Sequence, residues 1–286
     1  MTLANYTFQL TSTGVVLNAD TISVPFIDID RVSGLDSAPF RETIRDHEGA
    51  DGGFFDAEFE KGREIILEGI AYCDTTTVES FMDTLKYNFA PATSAQAFYF
   101  KGPGVAERIL FVKPRGVRYD WERLRRTGMT AIQFLMFAED PRIYSSDLVT
   151  GTLPFGSITI NGIGFNLGFN LDFGGGQVPA SATLSVGGNR PTPVVFTING
   201  PITDPVITNE TTDSILSFKN ITLTTGQELV VDTGNRTVLL DGVSNVRSSL
   251  IDPDWFFLVP GNNFIGFGAA TGTSSTLDYA FRDAWR

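Results

Sequence analysis

The chain has a single cysteine, Cys73, in 286 residues, which excludes an internal disulfide and any cluster of metal-binding thiolates. Cys73 follows Tyr72 on an apolar run and reads as a small core residue. Histidine is equally scarce: His47 alone would have to serve a Ser-His-Asp arrangement, and no GxSxG elbow is present to partner it. No uninterrupted apolar run approaches the length that spans a bilayer. The opening "MTLANYTFQL" lacks the basic and long apolar regions of a secretory signal. The expectation is therefore no membrane insertion, with synthesis in a cytoplasm and release only by lysis. Basic residues are short as well, 21 against 33 acidic ones, for a net charge of −12. An acidic chain repels phosphate backbones, which argues against general nucleic-acid binding.

What is present points to strands. Glycine (29 residues) and threonine are abundant, and phenylalanine (24) dominates the aromatics. That composition favours turns and sheets over helices. The length suits two domains, each able to bury its own core.

Residues 4 to 30 read as short strands: "YTFQL", "GVVLN" and "ISVPFIDID". The polar, glycine-punctuated stretch 31–62 reads as a long loop or ragged hairpin leading into the strand "REIILEGIAYC". One helix is expected in "DTTTVESFMDTLKYNFAP". There Val78, Phe81, Met82, Leu85 and Phe89 form an apolar stripe that packs across a sheet, Thr76 and Glu79 fit a capping box, and Pro91 stops the helix. "AFYFKG", "RILFVKPRGVRYDW" and "MTAIQFLMFAEDPRIYS" follow as strands. The last is apolar on both faces and is expected to be buried on both.

A boundary is expected at "EDPRIYSSD", giving domains 1–145 and 146–286. Beyond it charges thin out, no helical period appears, and short strands recur between turns, as in an antiparallel β-sandwich. "WFFLVPGNNFIGF" reads as two inward-facing strands joined at Pro260-Gly261-Asn262-Asn263, and "ELVVDTGNRTVLLDG" as a second hairpin.

Motifs with chemical meaning are weak. "LVVDTGN" presents Asp232 in the manner of an aspartic protease, but that chemistry needs two such carboxylates, and "DTGN" is a turn sequence in its own right. Asp46, Glu48 and Asp51 around His47 are acidic, yet they lack the alternation of an EF-hand loop. "GIGFNLG" and "GGG" (174–176) precede no helix and carry no Lys-Ser/Thr, so they fail as phosphate loops. No catalytic residue, metal ligand or cofactor site emerges, and the expectation is a non-enzyme without cofactors.

One charge cluster runs against the acidic background: "KPRGVRYDWERLRR", with Lys113, Arg115, Arg118, Arg123, Arg125 and Arg126. It reads either as a strand and loop with outward arginines or as a subunit contact. In the second case its partner is the acidic stretch of Asp46, Glu48, Asp51, Asp56, Glu58 and Glu60.

The order of these segments resembles the distal tail proteins of long-tailed, siphovirus-type phages. In the first half the matching pieces are "ADGG", "KGREIILEGI" followed by the helix, "FVKPRGV", and a long strand closing on "AEDPRIYS". In the second half they are "TINGPITDPVITN", "LTTGQELVVDTGNRTVLLDG", "WFFLVPGNNFIGF" and the terminal "RDAW", the last similar to versions from phages of actinobacteria. The resemblance implies a mainly β, two-domain protein: an N-terminal β-sandwich with one packed α-helix, then a galectin-like or jelly-roll sandwich. It further implies a homo-hexameric ring at the virion tail tip, assembled in the host bacterial cytoplasm. That ring joins the tail tube protein to the tail-tip hub and adhesion proteins and leaves a channel for tape measure protein and DNA in transit. The alternative it leaves open is a carbohydrate-binding module that contacts host surface glycan through the second domain, with Trp255 as a candidate platform.

Overall fold

The computed structural model describes residues 3–11, 14–19, 23–41, 44–46, 49, 51, 53–55, 59–155, 158–159, 177–178, 180–272 and 274–286. The chain divides into two compact units, Met1–Ser146 with Arg286, and Asp147–Trp285.

In the first unit, antiparallel strands follow the order Val16–Leu17, Phe8–Leu10, Gln96–Phe100, Arg108–Tyr119, Met129–Ala138, Arg63–Tyr72 and Phe26–Ser33. Alternation sets the faces. In Arg63–Tyr72, Ile65, Leu67 and Ala71 are fully buried, while Glu64, Ile66 and Glu68 point the other way. Pairing with Met129–Ala138 runs without a break from Met129↔Tyr72 to Ala138↔Arg63. The two ends of the path meet at Asn18. Its backbone N–H donates to the Ile27 carbonyl at 3.0 Å, and its side chain binds both the N–H and the carbonyl of Ile29. The sheet is thus curled nearly closed, which leaves few unpaired backbone groups at its edges.

Helix α1, Val78–Asn88, buries Val78, Phe81, Met82 and Leu85, and the Phe89 ring lies tilted against Phe134 with centroids 4.5 Å apart. The expected capping box does not form. Thr77 is the N-cap without a side-chain bond, and the Asp74 carboxylate instead accepts from the Thr76 N–H and hydroxyl at 3.0 and 2.9 Å. Those two bonds hold the Asp74 carboxyl below its usual pKa. With its hydroxyl engaged in that turn, Thr76 lies ahead of the N-cap rather than at it.

Two further expectations change. Strand Met129–Ala138 is buried on one face only: Thr130, Ile132, Phe134 and Met136 are enclosed, while Gln133, Leu135 and Phe137 are half-buried and Ala131 is exposed. The reason is that α1 packs over the Phe134 face. There is also a second helix, α2, Trp121–Thr127, where only strand and loop were expected. Stretch 31–62 is in part the expected hairpin, with ladders at 40–41/59–60 and 44–46/53–55.

The second unit is a β-sandwich of two six-stranded antiparallel sheets. One runs Val149–Pro154, Thr276–Phe281, Val194–Asn199, Glu228–Asp232, Thr237–Leu240 and Ser244–Asn245. The other runs Ala180–Val186, Gly261–Gly272, Ile202–Asn209, Ser214–Phe218 and Leu250–Pro253, with Thr222–Leu223 beside Ile202–Asn209. Val194, Phe196, Ile198, Leu229 and Val231 from the first sheet meet Ile207, Leu216, Phe218, Ile265 and Phe267 from the second. Alternation again selects them, since their neighbours in sequence are more exposed.

The hairpin expected in "WFFLVPGNNFIGF" is not there. Residues 255–258 form no ladder with the strand beginning at Gly261. Leu258 instead exchanges backbone hydrogen bonds of 2.9 Å with Thr192. Phe256 and Leu258 fill the core from this irregular segment, and Phe256 lies edge-on to Phe196. The fully buried Asn263 holds the turn by binding Val259 through its side chain. The "DTGN" hairpin does form, with Asp232 opposite Thr237. "GIGFNLG" and "GGG" lie outside the described residues.

Candidate functional site

The basic run 113–126 is divided between two elements. Lys113, Arg115 and Arg118 belong to strand Arg108–Tyr119, and Arg123, Arg125 and Arg126 to α2. The strand is irregular at Arg115: the register against Met129–Ala138 slips between Pro114 and Gly116, and Gly116 takes a φ of 125°. A bulge of this kind re-aims a side chain. Here it brings the Arg115 guanidinium over the Phe137 ring, 4.8 Å from the centroid. Lys113 is paired with Glu139 at 2.7 Å, and Arg118 stands exposed opposite Gln133, whose amide donates to Glu68 at 2.8 Å.

Helix α2 has a sequence reason. The Asp120 carboxylate caps it by accepting from the Arg123 N–H at 3.0 Å, and Gly128 ends it at a φ of 68° with its N–H on the Leu124 carbonyl. Leu124 is its one buried residue, so the rest of the helix faces solvent. Arg125 lies over Trp121, 5.0 Å from the ring centroid, while Arg123 and Arg126 are exposed. The signal that finds this helix is the Asp and Gly at its ends. Its charge and single apolar anchor hide it from any search for an apolar stripe.

Only some of the acidic counterparts lie among the described residues. Asp46 ends a short strand, Asp51 is exposed, and Glu60 is largely buried, while His47, Glu48, Asp56 and Glu58 lie outside the described residues. Among the described residues no three His, Cys, Asp or Glu are grouped to hold a metal ion.

Asp232 is occupied by its own turn. Its Oδ1 accepts from the Gly234 and Asn235 N–H groups, each at 2.9 Å, and its Oδ2 from the Asn235 amide at 2.7 Å. A carboxylate so engaged is an Asx-type turn lock. Trp255 packs against the core of the sandwich, with the Arg247 guanidinium 5.6 Å from its ring centroid. That placement disfavours an open stacking platform for a sugar.

One cluster in "AEDPRIYS" escaped the sequence reading. Arg142 binds Asp140 at 3.0 Å, and the Tyr144 hydroxyl donates to the other Asp140 oxygen at 2.6 Å. Burial first, then the neighbouring Asp140 charge, pushes the Tyr144 phenol well above its usual pKa. Only the alternation of charge and aromatic two residues apart hints at this arrangement, and that spacing is common in strands.

Comparison with known proteins agrees with this architecture. Residues 187–285 match the family model of the siphovirus-type tail component, C-terminal domain. No curated protein matches the chain. Among solved structures, the whole chain superposes on SPP1 Dit (gp 19.1), described as a paradigm of hub adsorption apparatus in Gram-positive infecting phages. The TM-score is 0.66 at 15% identity, over 99% of this chain and 100% of that one. A chain of the phage P2 baseplate in its activated conformation with Ca matches with a TM-score of 0.54 at 8% identity, over 98% of each chain. The same baseplate with Sr gives 0.53 at 8% identity, over 97% and 98%. Residues 187–285 in the second unit thus match the siphovirus-type tail component model, and the whole chain shares the fold of SPP1 Dit.

Proposed function

We propose that this chain is a structural protein of a phage tail tip, a homo-hexameric ring linking the tail tube to the hub and adhesion proteins. The observation that carries this reading is the whole-chain likeness to SPP1 Dit, which takes in both units in the same order and covers that protein completely. In this reading domain 1–145 closes the ring and domain 146–286, a galectin-like sandwich, meets the tip proteins. The channel passes tape measure protein and DNA. In this reading the protein works without catalysis or cofactor, which the match of residues 187–285 to a tail component model supports. It resides at the virion tail tip after assembly in the host bacterial cytoplasm.

The basic residues fit a role in the ring. Lys113, Arg115, Arg118, Arg123, Arg125 and Arg126 form its cationic contact patch, with α2 held on one buried side chain so that its arginines face outward. A head-to-tail ring needs two different complementary surfaces on each copy. An acidic protein that offers a local basic helix meets that requirement. Negative-stain electron microscopy of the purified chain tests the proposal: rings with a central hole support it, and isolated two-lobed particles at every concentration overturn it.

A further inference from the structure

We infer that a cleft on the outer face of the second unit's sandwich, centred on Asp278, binds one ring of a neutral saccharide. The inference concerns a surface of a single chain and does not depend on the ring. Strands Val149–Pro154, Thr276–Phe281 and Val194–Asn199 lie side by side, and their register sets two rows. Thr152, Asp278 and Thr197 make one, and Thr150, Ala280 and Val195 the other. Their neighbours in sequence, Leu153, Leu277, Phe281, Phe196 and Ile198, are buried in the core, so alternation turns both rows outward. Together the rows line a cleft of about 290 Å³. Small-molecule sites begin near about 300 Å³, so this one suits a single ring. Ala280, the smallest side chain of its row, makes the floor. On the inner side Gly151 leaves room for the Tyr279 hydroxyl, which would lie 2.2 Å from a Cβ placed there.

Asp278 is held in place before a ligand arrives. Its Oδ1 accepts from the Thr152 hydroxyl at 2.5 Å and its Oδ2 from the Asn199 amide at 2.8 Å. The same amide lies 3.0 Å from the Thr276 hydroxyl, which fixes Asn199 in turn. A carboxylate has about four acceptor positions, so roughly half of them stay open to a ligand. The Thr150 and Thr197 hydroxyls make no hydrogen bond among the described residues.

That chemistry selects its ligand. The lining carries one carboxylate and no Lys or Arg, so a phosphate or a sugar acid would meet like charge without a counter-ion. A metal ion would find a single carboxylate, and among the described residues no three ligating side chains are grouped. A peptide strand pairs at a sheet edge, whereas the cleft crosses three strands already joined by ladders. An apolar ligand would take the Asp278 carboxylate and two hydroxyls out of water with nothing in exchange. A neutral pyranose meets each demand. Its hydroxyls donate to Asp278 and pair with Thr150 and Thr197, while its C–H face lies on Ala280 and Val195.

The test is saturation-transfer NMR on the full chain. The probes are the methyl glycosides of glucose, galactose, mannose and N-acetylglucosamine, with glucuronic acid and glucose 6-phosphate as charged counterparts. The expected result is transfer to at least one neutral glycoside and none to the charged sugars. Asp278→Asn should weaken that glycoside at least about tenfold, because a charged acceptor makes the stronger hydrogen bond. Ala280→Leu fills the floor, leaves every polar group in place, and should abolish transfer with an unchanged thermal unfolding curve. Phe264 is 48% exposed on the other sheet, and Phe264→Ala should leave the signal as it is. Absence of transfer to every neutral probe overturns the inference, as does equal transfer to the charged ones. A signal that survives both Asp278→Asn and Ala280→Leu, or is lost only in Phe264→Ala, overturns this cleft as the site.

Discussion

The Asn263 side chain closes on the peptide unit of Val259: its Oδ1 accepts from the Val259 N–H at 2.9 Å, and its Nδ2 donates to the Val259 carbonyl at 2.8 Å. Asn263 is fully buried at the start of the long strand Gly261–Gly272, and the same amide lies 3.3 Å from the Gly261 carbonyl. This clasp does the work that a ladder would do in a hairpin. It frees 255–258 to drop Phe256 and Leu258 into the core.

Asn263→Ala should therefore destabilise the second unit by about 2–4 kcal/mol, since it strands a buried N–H and carbonyl at about 1–3 kcal/mol each and opens a small void. Asn263→Asp should be little better, because it replaces a donor with a charge. Urea unfolding followed by Trp fluorescence checks both, and a loss below about 0.5 kcal/mol, the usual range for surface substitutions, contradicts the clasp.

The same turn shows what sequence carries and what it does not. Faces of regular strands were legible, because alternation in "REIILEGIAY" and "TPVVFTING" directly encodes which side chains are enclosed. The α1 stripe was legible for the same reason. The "WFFLVP" segment was not: a run of apolar residues has the same appearance in a strand and in an irregular core-filling segment. Only the three-dimensional position of Asn263 decides between them. Likewise α2 depends on Asp120 and Gly128 rather than on a stripe. Of the proposed contact surface, the basic residues were visible but their division between strand and helix was not.

Gly128 ends α2 in the left-handed region, and a Cβ there would lie 2.6 Å from the Cys73 carbonyl oxygen, a backbone atom with little room to yield. Gly128→Ala should cost more than about 1 kcal/mol, the scale of an αL penalty for a non-glycine residue, with the clash added. Asp120→Ala should cost about 1 kcal/mol through the lost cap. Amide hydrogen exchange over 121–128 should accelerate in both variants, and unchanged protection would mean that Leu124 alone holds the helix.

Asp232 tests the absence of protease chemistry. Asp232→Asn keeps an oxygen acceptor for the Gly234 and Asn235 N–H groups and should change stability by less than about 1 kcal/mol, whereas Asp232→Ala should cost about 1–2 kcal/mol. A pepstatin-sensitive peptidase activity in the native protein, lost in Asp232→Asn, would overturn the turn reading.

Tyr144 gives a pH signature. Its folded pKa is raised above the ordinary value of 10.0 by burial and by Asp140, so the neutral phenol is the form that the fold favours. Its contribution to stability is intact below about pH 10 and declines as the pH climbs beyond that value. Tyr144→Phe should show a shallower loss of stability between pH 10 and 11.5 while costing about 1 kcal/mol at neutral pH. Parallel alkaline curves for the two proteins would contradict this assignment.

The central claim is assembly, and native mass measurement tests it most directly. At tens of micromolar in low salt the full chain should give a species six times its 31.2 kDa mass, and residues 1–145 alone should retain the same stoichiometry. Raising the salt, which shortens the screening length to below about 8 Å, should shift the population toward monomer, and Arg123→Glu, Arg125→Glu and Arg126→Glu together should do so at low salt. A strict monomer under all these conditions would contradict a ring built by this chain on its own.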